Sequence, residues 1–86
     1  MRIVYRYDPL QLMGANLGID PEASGERFAA LLLGALEREF PKARVVVEVG
    51  EGGALLEGFD DPETVELRVE GLARGVRKAA QYLVYR

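Results

Sequence analysis

The side chains in this chain that are best suited to acid–base or metal chemistry are carboxylates in its second half, at positions 48, 51, 57, 60 and 61. Two carboxylates can share acid and base roles when their environments separate their pKa values. Several carboxylates can also hold Mg²⁺ or Ca²⁺ through oxygen ligands. The spacing here matches no known metal-binding loop, so it favours an exposed acidic edge and a helix cap over a metal site.

The residues needed for most other catalytic chemistry are absent. The sequence has no His and no Cys, and its one serine, Ser24, therefore has no imidazole to activate it. The lack of Cys and His removes disulfides and nearly every arrangement of zinc ligands. We therefore expect no catalytic residues, no metal and no cofactor, and we lean toward a protein that is not an enzyme.

Two glycine-containing turns, residues 14–18 and 50–53, are the candidates for phosphate binding. A phosphate loop needs backbone N–H groups that converge at the start of a helix, usually with a Lys. Neither turn contains a Lys, and Glu51 would repel an anion. Both segments are predicted to be plain turns.

Size and charge limit the possible functions. The 86 residues predict one domain, and a core this small is marginal, which favours a homodimer that shares an interface. The net charge of −3 disfavours a dedicated nucleic-acid binder. No apolar run is long enough for a membrane span, and the N-terminus is too polar for a secretory signal, so we expect a cytoplasmic protein. Arg outnumbers Lys nine to two, a composition compatible with a thermophilic source.

Periodicity predicts the elements that must position any site. Alternation predicts a strand over residues 2–7. Asp20 followed by Pro and Glu opens a helix over 21–40, with apolar residues at helical spacing. The β-branched run 43–49 and the short apolar run 54–59 are separated by a glycine-rich turn and predict a hairpin.

Residues 64–70 admit two interpretations. Val65, Leu67 and Val69 alternate like a strand, but a longer helical pattern continues from this segment. That pattern consists of Val65, Val69, Leu72, Val76, Ala79 and Leu83. We predict a helix over 62–84, in which Gly71 and Gly75 allow close packing against the sheet or a neighbouring helix; the alternative is a strand at 64–70 with a helix from 72.

The resulting order, β-α-β-β-α, predicts one α+β domain over residues 1–86. Its expected architecture is a two-layer sandwich in which two helices pack on a small antiparallel or mixed sheet. The apolar segment 10–19 is long for a loop, and such loops are often functional. It either folds back over the core edge or forms a flap that binds a partner or a second copy.

Several short patterns together resemble the DNA-damage-inducible protein I (DinI) family. They are Met1-Arg2-Ile3, Phe40-Pro41, Val45, Val47, Val49, Leu55-Leu56-Glu57-Gly58, Val69, Leu72, Val76, Ala79 and Tyr82. The resemblance implies the β-α-β-β-α fold and binding to the RecA recombinase filament through an acidic ridge on the last helix. This sequence departs from that ridge, because the outward face of its last helix carries Arg74, Arg77 and Lys78.

We therefore predict a non-catalytic protein–protein interaction or regulatory domain that binds itself and an unknown protein. The predicted partner-binding residues are Leu10, Leu12, Met13, Leu17, Leu67, Arg74, Lys78 and Tyr85. One alternative is a nucleic-acid-binding regulator that uses the basic end of the last helix, with Arg for phosphates and Tyr for stacking. Its residues would be Arg74, Arg77, Lys78, Tyr82 and Arg86. The other alternative is the modulation of RecA filaments that the resemblance implies.

Overall fold

The computed structural model describes residues 1–13, 17–51 and 53–85, without the side chain of Met13. The elements in chain order are β1 (Arg2–Tyr7), α1 (Pro9–Met13), α2 (Pro21–Glu39), β2 (Arg44–Val49), β3 (Gly53–Glu57) and α3 (Pro62–Ala79). The α+β prediction is confirmed, since a three-stranded mixed sheet packs against helices. No helix in the described part of the chain is both long enough and apolar enough to cross a bilayer.

The strand order in the sheet is β2-β1-β3, with β1 in the centre. β1 runs parallel to β2, to which α2 connects it, and antiparallel to β3. The predicted hairpin of β2 and β3 is therefore wrong. The hairpin rule considers only the turn, but β1 is the most buried strand and takes the position where both of its edges are paired.

The turn between β2 and β3 carries the chain past the end of β1. Gly50 N donates to the carbonyl of Tyr7 across 3.0 Å, which fixes the turn to the last residue of the central strand. A Cβ atom at Gly50 would lie 3.0 Å from Cδ of Arg6, and Gly53 has a φ of +72°. The positive φ favours glycine at position 53, and at position 50 a Cβ atom would crowd the side chain of Arg6.

The two faces of β1 have different neighbours. Ile3, Tyr5 and Tyr7 point into the core, where they meet buried residues of α2 and α3. On the other face Val4 pairs with Val46 and Leu55, and an ion pair lies on either side of this apolar row. These pairs are Arg2–Glu57 at 3.7 Å and Arg6–Glu48 at 3.1 Å. This face of the sheet therefore mixes apolar and charged side chains.

The helix α2 begins and ends close to where the sequence predicts. The side chain of Asp20 accepts from the backbone N–H groups of Glu22 and Ala23, at 3.1 and 3.2 Å. These bonds satisfy donors that the first helical turn leaves free. The ring of Phe28 then packs edge-on between Tyr7 and Tyr82, with centroid distances of 5.4 and 5.5 Å. This aromatic cluster joins β1, α2 and the C-terminal segment.

Residues 64–70 are helical, so the predicted helix is confirmed and the alternative strand is wrong. Asp61 caps the helix through Thr64. The helix ends at Ala79 instead of residue 84, because Ala80 adopts the left-handed conformation with a φ of 57°. A continued helix would aim Tyr82 away from the core. The turn at Ala80 instead brings Tyr82 onto Phe28.

The segment predicted as a loop from 10 to 19 contains α1. Its start is fixed by Asp8, whose carboxylate accepts from the N–H of Leu10 at 2.9 Å. Within it Leu12 is buried in the core. This part of the segment therefore folds back over the core edge, which was one of the two interpretations, while residues 14–16 lie outside the described residues.

Ser24 ties the C-terminal segment to α2. Its hydroxyl accepts from the N–H of Val84 at 2.9 Å and donates to the carbonyl of the same residue at 3.4 Å. The N–H of Asp20 donates to that carbonyl too, at 2.8 Å. The only serine in the sequence thus has a structural role at a fully buried position.

We expect Ser24→Ala to destabilise the protein by about 1–2 kcal/mol, because it leaves the Val84 N–H without its acceptor. For a domain of this size each kcal/mol corresponds to a melting temperature lower by about 4–8 °C. Thermal unfolding followed by circular dichroism measures this, with Ala30→Ser as the control at an exposed site on α2. Equal melting temperatures for Ser24→Ala and the wild type would contradict the anchoring role.

Candidate interaction surfaces

Three large apolar side chains are exposed: one on α1, one on the segment that precedes α2 and one on the C-terminal segment. Leu10 is 64% exposed, Leu17 is 76% exposed and Tyr85 is 65% exposed. Ile19 and Tyr85 form an isolated antiparallel bridge, which brings the segment of Leu17 beside the C-terminal segment. We call Leu10, Leu17 and Tyr85 the terminal corner.

The backbone beneath the terminal corner is held by hydrogen bonds. The hydroxyl of Tyr82 donates to the carbonyl of Leu12 at 3.3 Å, which ties α1 to the C-terminal segment. Leu12 itself is only 8% exposed, so its side chain belongs to the core and not to the predicted contact surface. The fourth residue predicted in this segment, Met13, has a side chain outside the described residues.

The other predicted partner-binding residues form a second surface. Leu67, Arg74 and Lys78 are all exposed on the side of α3 that faces away from the sheet. Leu67 is 75% exposed. We call this side of α3, with Gly71 and Gly75, the α3 outer face. Tyr85 lies beyond the end of the helix and belongs to the terminal corner instead.

Gly71 and Gly75 do not serve the close packing that the sequence predicts. A Cβ atom at either position would meet nothing within 4 Å in the described chain. Each glycine lowers helix stability by roughly 1 kcal/mol relative to alanine, and among the described residues no crowding of a Cβ atom accounts for that cost. The prediction of packing against the sheet or α2 is wrong because α3 turns Val69 and Ala73 to the core and both glycines away from it.

A shallow apolar groove adjoins the α3 outer face. It has a volume of about 320 Å³ and lies between α2 and α3. Leu31 and Ala35 line it from α2, and Leu72 and Val76 line it from α3. Gly71 and Gly75 form part of its wall, so the missing side chains widen the groove.

The five residues of the nucleic-acid alternative do not form one surface. Arg74 and Lys78 are exposed, but Tyr82 is only 5% exposed and packs on Phe28, so it cannot stack on a base without leaving the core. Arg77 donates to the hydroxyl of Tyr5 at 2.8 Å. Arg86 lies outside the described residues.

The contact between Arg77 and Tyr5 belongs to a polar cleft of about 390 Å³ at the carboxyl end of β1. Glu70 lines the same cleft from α3, and Asp8 and Gln11 line it from α1. The sequence predicts Tyr5 only as part of a strand, and it does not predict this cleft. Two features of the sequence could have indicated the cleft. A buried tyrosine needs a hydrogen-bond partner for its hydroxyl, and Glu70 and Arg77 lie two turns apart on one helix face.

The cleft shifts the titration of its tyrosine. Burial raises the pKa of Tyr5 above the ordinary 10.0, while the positive charge of Arg77 lowers the pKa and the negative charge of Glu70 raises it. The phenol is therefore protonated at neutral pH and acts as a hydrogen-bonding group. Because the folded state binds this proton more tightly, the stability that Tyr5 contributes is present below pH 10.0 and is lost as the pH rises through the folded-state pKa.

The carboxylates that the sequence singles out are dispersed. Glu48 and Glu57 pair with arginines on the sheet, and Asp61 caps α3. The hydrogen bonds from Thr64 lower the pKa of Asp61. Within the described ranges, no group of three or more acidic residues is placed to hold a metal ion.

The electrostatic balance of the cleft can be tested by substitution. We expect Arg77→Gln to raise the pKa of Tyr5 further and Glu70→Gln to lower it, because each removes one of the charges that act on the phenol. A pH titration of the tyrosine ring carbons by NMR measures both values. If the two substitutions shifted the pKa of Tyr5 in the same direction, the arrangement of these charges would be wrong.

Comparison of the chain with protein-family models, curated proteins and solved structures finds no match. The resemblance to the DinI family therefore stays a prediction.

Proposed function

We propose that the protein is a small non-catalytic interaction domain that binds a protein partner through its terminal corner. The observation that carries this proposal is the exposure of Leu10, Leu17 and Tyr85 on segments whose backbone is fixed by hydrogen bonds. Single exposed apolar residues are normal on protein surfaces, but three of them on segments that are tied to one another support an interaction site.

The anchoring of the corner favours binding by a preformed surface. Val84, next to Tyr85, is held by Ser24 and Asp20, so the C-terminal segment has little freedom to lose when a partner binds. Side chains that are already positioned lower the entropic cost of association. The partner chemistry that fits is an apolar protein segment, because the three exposed side chains offer a large apolar area with a single hydroxyl group. We place this interaction in the cytoplasm, in keeping with a chain that has no Cys.

The residues predicted for nucleic-acid binding do not form one surface. No observation therefore supports that alternative. The resemblance to the DinI family supplies one named candidate partner, the RecA filament. The α3 outer face carries Arg74 and Lys78 where the resemblance implies acidic residues. We therefore include RecA in the test as a defined outcome and do not assign it.

The proposal predicts that substitutions in the terminal corner remove a protein partner. The tagged protein is used to capture partners from a lysate of its source organism, with and without nuclease, and captured proteins are identified by mass spectrometry. We expect a partner that survives nuclease and is lost with Leu10→Glu and with Leu17→Glu. The matched control is Leu55→Glu, which changes a half-exposed leucine on the sheet face remote from the helices.

Two results would overturn the proposal. One is a set of captured proteins that is identical for the wild type and both corner variants. The other is a set that disappears with nuclease, which would support nucleic-acid binding instead. Capture of RecA that depends on the corner would identify the partner as the one that the family resemblance implies.

A further inference from the structure

The α3 outer face is an unpartnered helix surface distinct from the terminal corner. It combines the exposed side chain of Leu67 with two helical glycines at which an added Cβ atom would meet nothing within 4 Å in the described chain. The apolar groove between α2 and α3 continues this surface on one side. Such a face can be covered by another helix, and the charges along α3 indicate which helix that is.

Charges along α3 are segregated about Gly71. Before this glycine lie Glu63, Glu66 and Glu70, and after it lie Arg74, Arg77 and Lys78. The one positive residue in the first half, Arg68, is already paired with Glu39 of α2. The helix is therefore acidic in one half and basic in the other, and the boundary falls at the position that has no side chain.

We propose that two copies of this chain associate through their α3 helices, which pack antiparallel and cross at Gly71 on a two-fold axis. The interface does not use the terminal corner, so this proposal is independent of the proposed function. A two-fold interface uses the same patch on both subunits and must be self-complementary. The charge pattern of α3 meets this condition, because each half of the helix is complementary to the other half.

Antiparallel pairing places residues at equal distances from Gly71 opposite each other. Leu67 then faces Gly75 of the partner subunit, where the missing side chain leaves room for it. Gly71 faces Gly71 of the partner subunit, which lets the two helices approach closely. The exposed leucine and the two glycines are thus explained by one arrangement.

The same arrangement matches the charges. Glu63 lies eight residues before Gly71, and Lys78 lies seven after it, so Glu63 meets Lys78 of the partner subunit. Arg77 takes no part in this match, because it donates to Tyr5 within its own chain. Parallel pairing would instead place each charge against its own copy, and like charges at an interface are strongly disfavoured. The charge order therefore selects the antiparallel dimer.

The groove supplies the rest of the interface. The 18 residues of α3 extend over about 27 Å. A stable interface buries about 800 Å² per partner, and we expect it to take in the groove as well as the strip around Leu67 and the glycines. Contact then extends onto Leu31 and Ala35, which line the groove from α2.

The test places a charge on the two-fold axis. Gly71→Glu and Gly71→Lys each set two like charges against each other, and we expect either variant to weaken self-association about 100-fold or more. A Cβ atom at Gly71 would meet nothing within 4 Å in the described chain, so we expect both variants to fold. Sedimentation equilibrium of the wild type and each variant over a range of concentrations measures the dissociation constant.

An equimolar mixture of the two variants tests whether the two introduced charges face each other across the interface. In the mixed dimer the introduced Glu and Lys face each other, so we expect the mixture to recover association that neither variant shows alone. Leu67→Glu should also dissociate the dimer, whereas Leu10→Glu, the matched exposed leucine of the terminal corner, should leave it intact. Loss of partner capture with an intact dimer in Leu10→Glu separates the two proposals.

Three results would overturn the proposal. The first is a wild type that stays monomeric at every concentration, and the second is a dimer that persists in both Gly71 variants. The third is a mixture that gains nothing over its components. Binding of α3 by a different protein or by nucleic acid would appear as the first of these results.

Discussion

The position of β1 between the other two strands is the constraint on which the rest of the structure depends. Its alternate residues Ile3, Tyr5 and Tyr7 supply the sheet's share of the core, and Val4 is buried on the opposite face. Burial on both faces favours a central strand, because an edge strand would leave backbone groups exposed beside apolar side chains. The parallel partner β2 then requires the crossover that α2 provides, and β3 must pair on the remaining edge.

The same constraint creates the surfaces available for function. With β1 central and the core on one side of the sheet, α3 presents Val69 and Ala73 inward and leaves its glycines outward. The carboxyl end of β1 opens into the cleft where Arg77 meets Tyr5. The aromatic cluster around Phe28 draws Tyr82 inward, so the helix ends early and the C-terminal segment runs beside residues 17–20. This path of the C-terminal segment leaves Tyr85 exposed.

The features that the sequence predicts correctly are those that repeat over many residues. The helical nature of 64–70 follows from a pattern that extends well beyond the segment, and α2 follows from a cap, a proline and a long apolar period. The features that it misses depend on contacts between distant residues. The order of strands depends on which strand is most buried overall, and the end of α3 depends on where Tyr82 can reach the core.

The predicted contact residues show the same division. Leu67, Arg74 and Lys78 are exposed because their place on the helix surface follows from its period. Leu12 and Tyr82 are buried because α1 and the C-terminal segment fold onto α2, which no local pattern indicates. The hydrogen bond of Arg77 to Tyr5 joins residues far apart in sequence, so this contact was not predictable either.

Antiparallel pairing of the α3 helices of two copies predicts a specific pattern of distances between the copies. Because the sequence has no Cys, single cysteines introduced at Glu63, Leu67, Arg74 or Lys78 carry spin labels without background. Pulsed electron paramagnetic resonance spectroscopy then measures the distance between the two spin labels of each dimer. We expect short distances at Leu67 and Arg74 that lengthen toward Glu63 and Lys78, by about 3 Å for each residue away from Gly71. Equal distances at all four sites, or no dipolar coupling, would contradict antiparallel pairing.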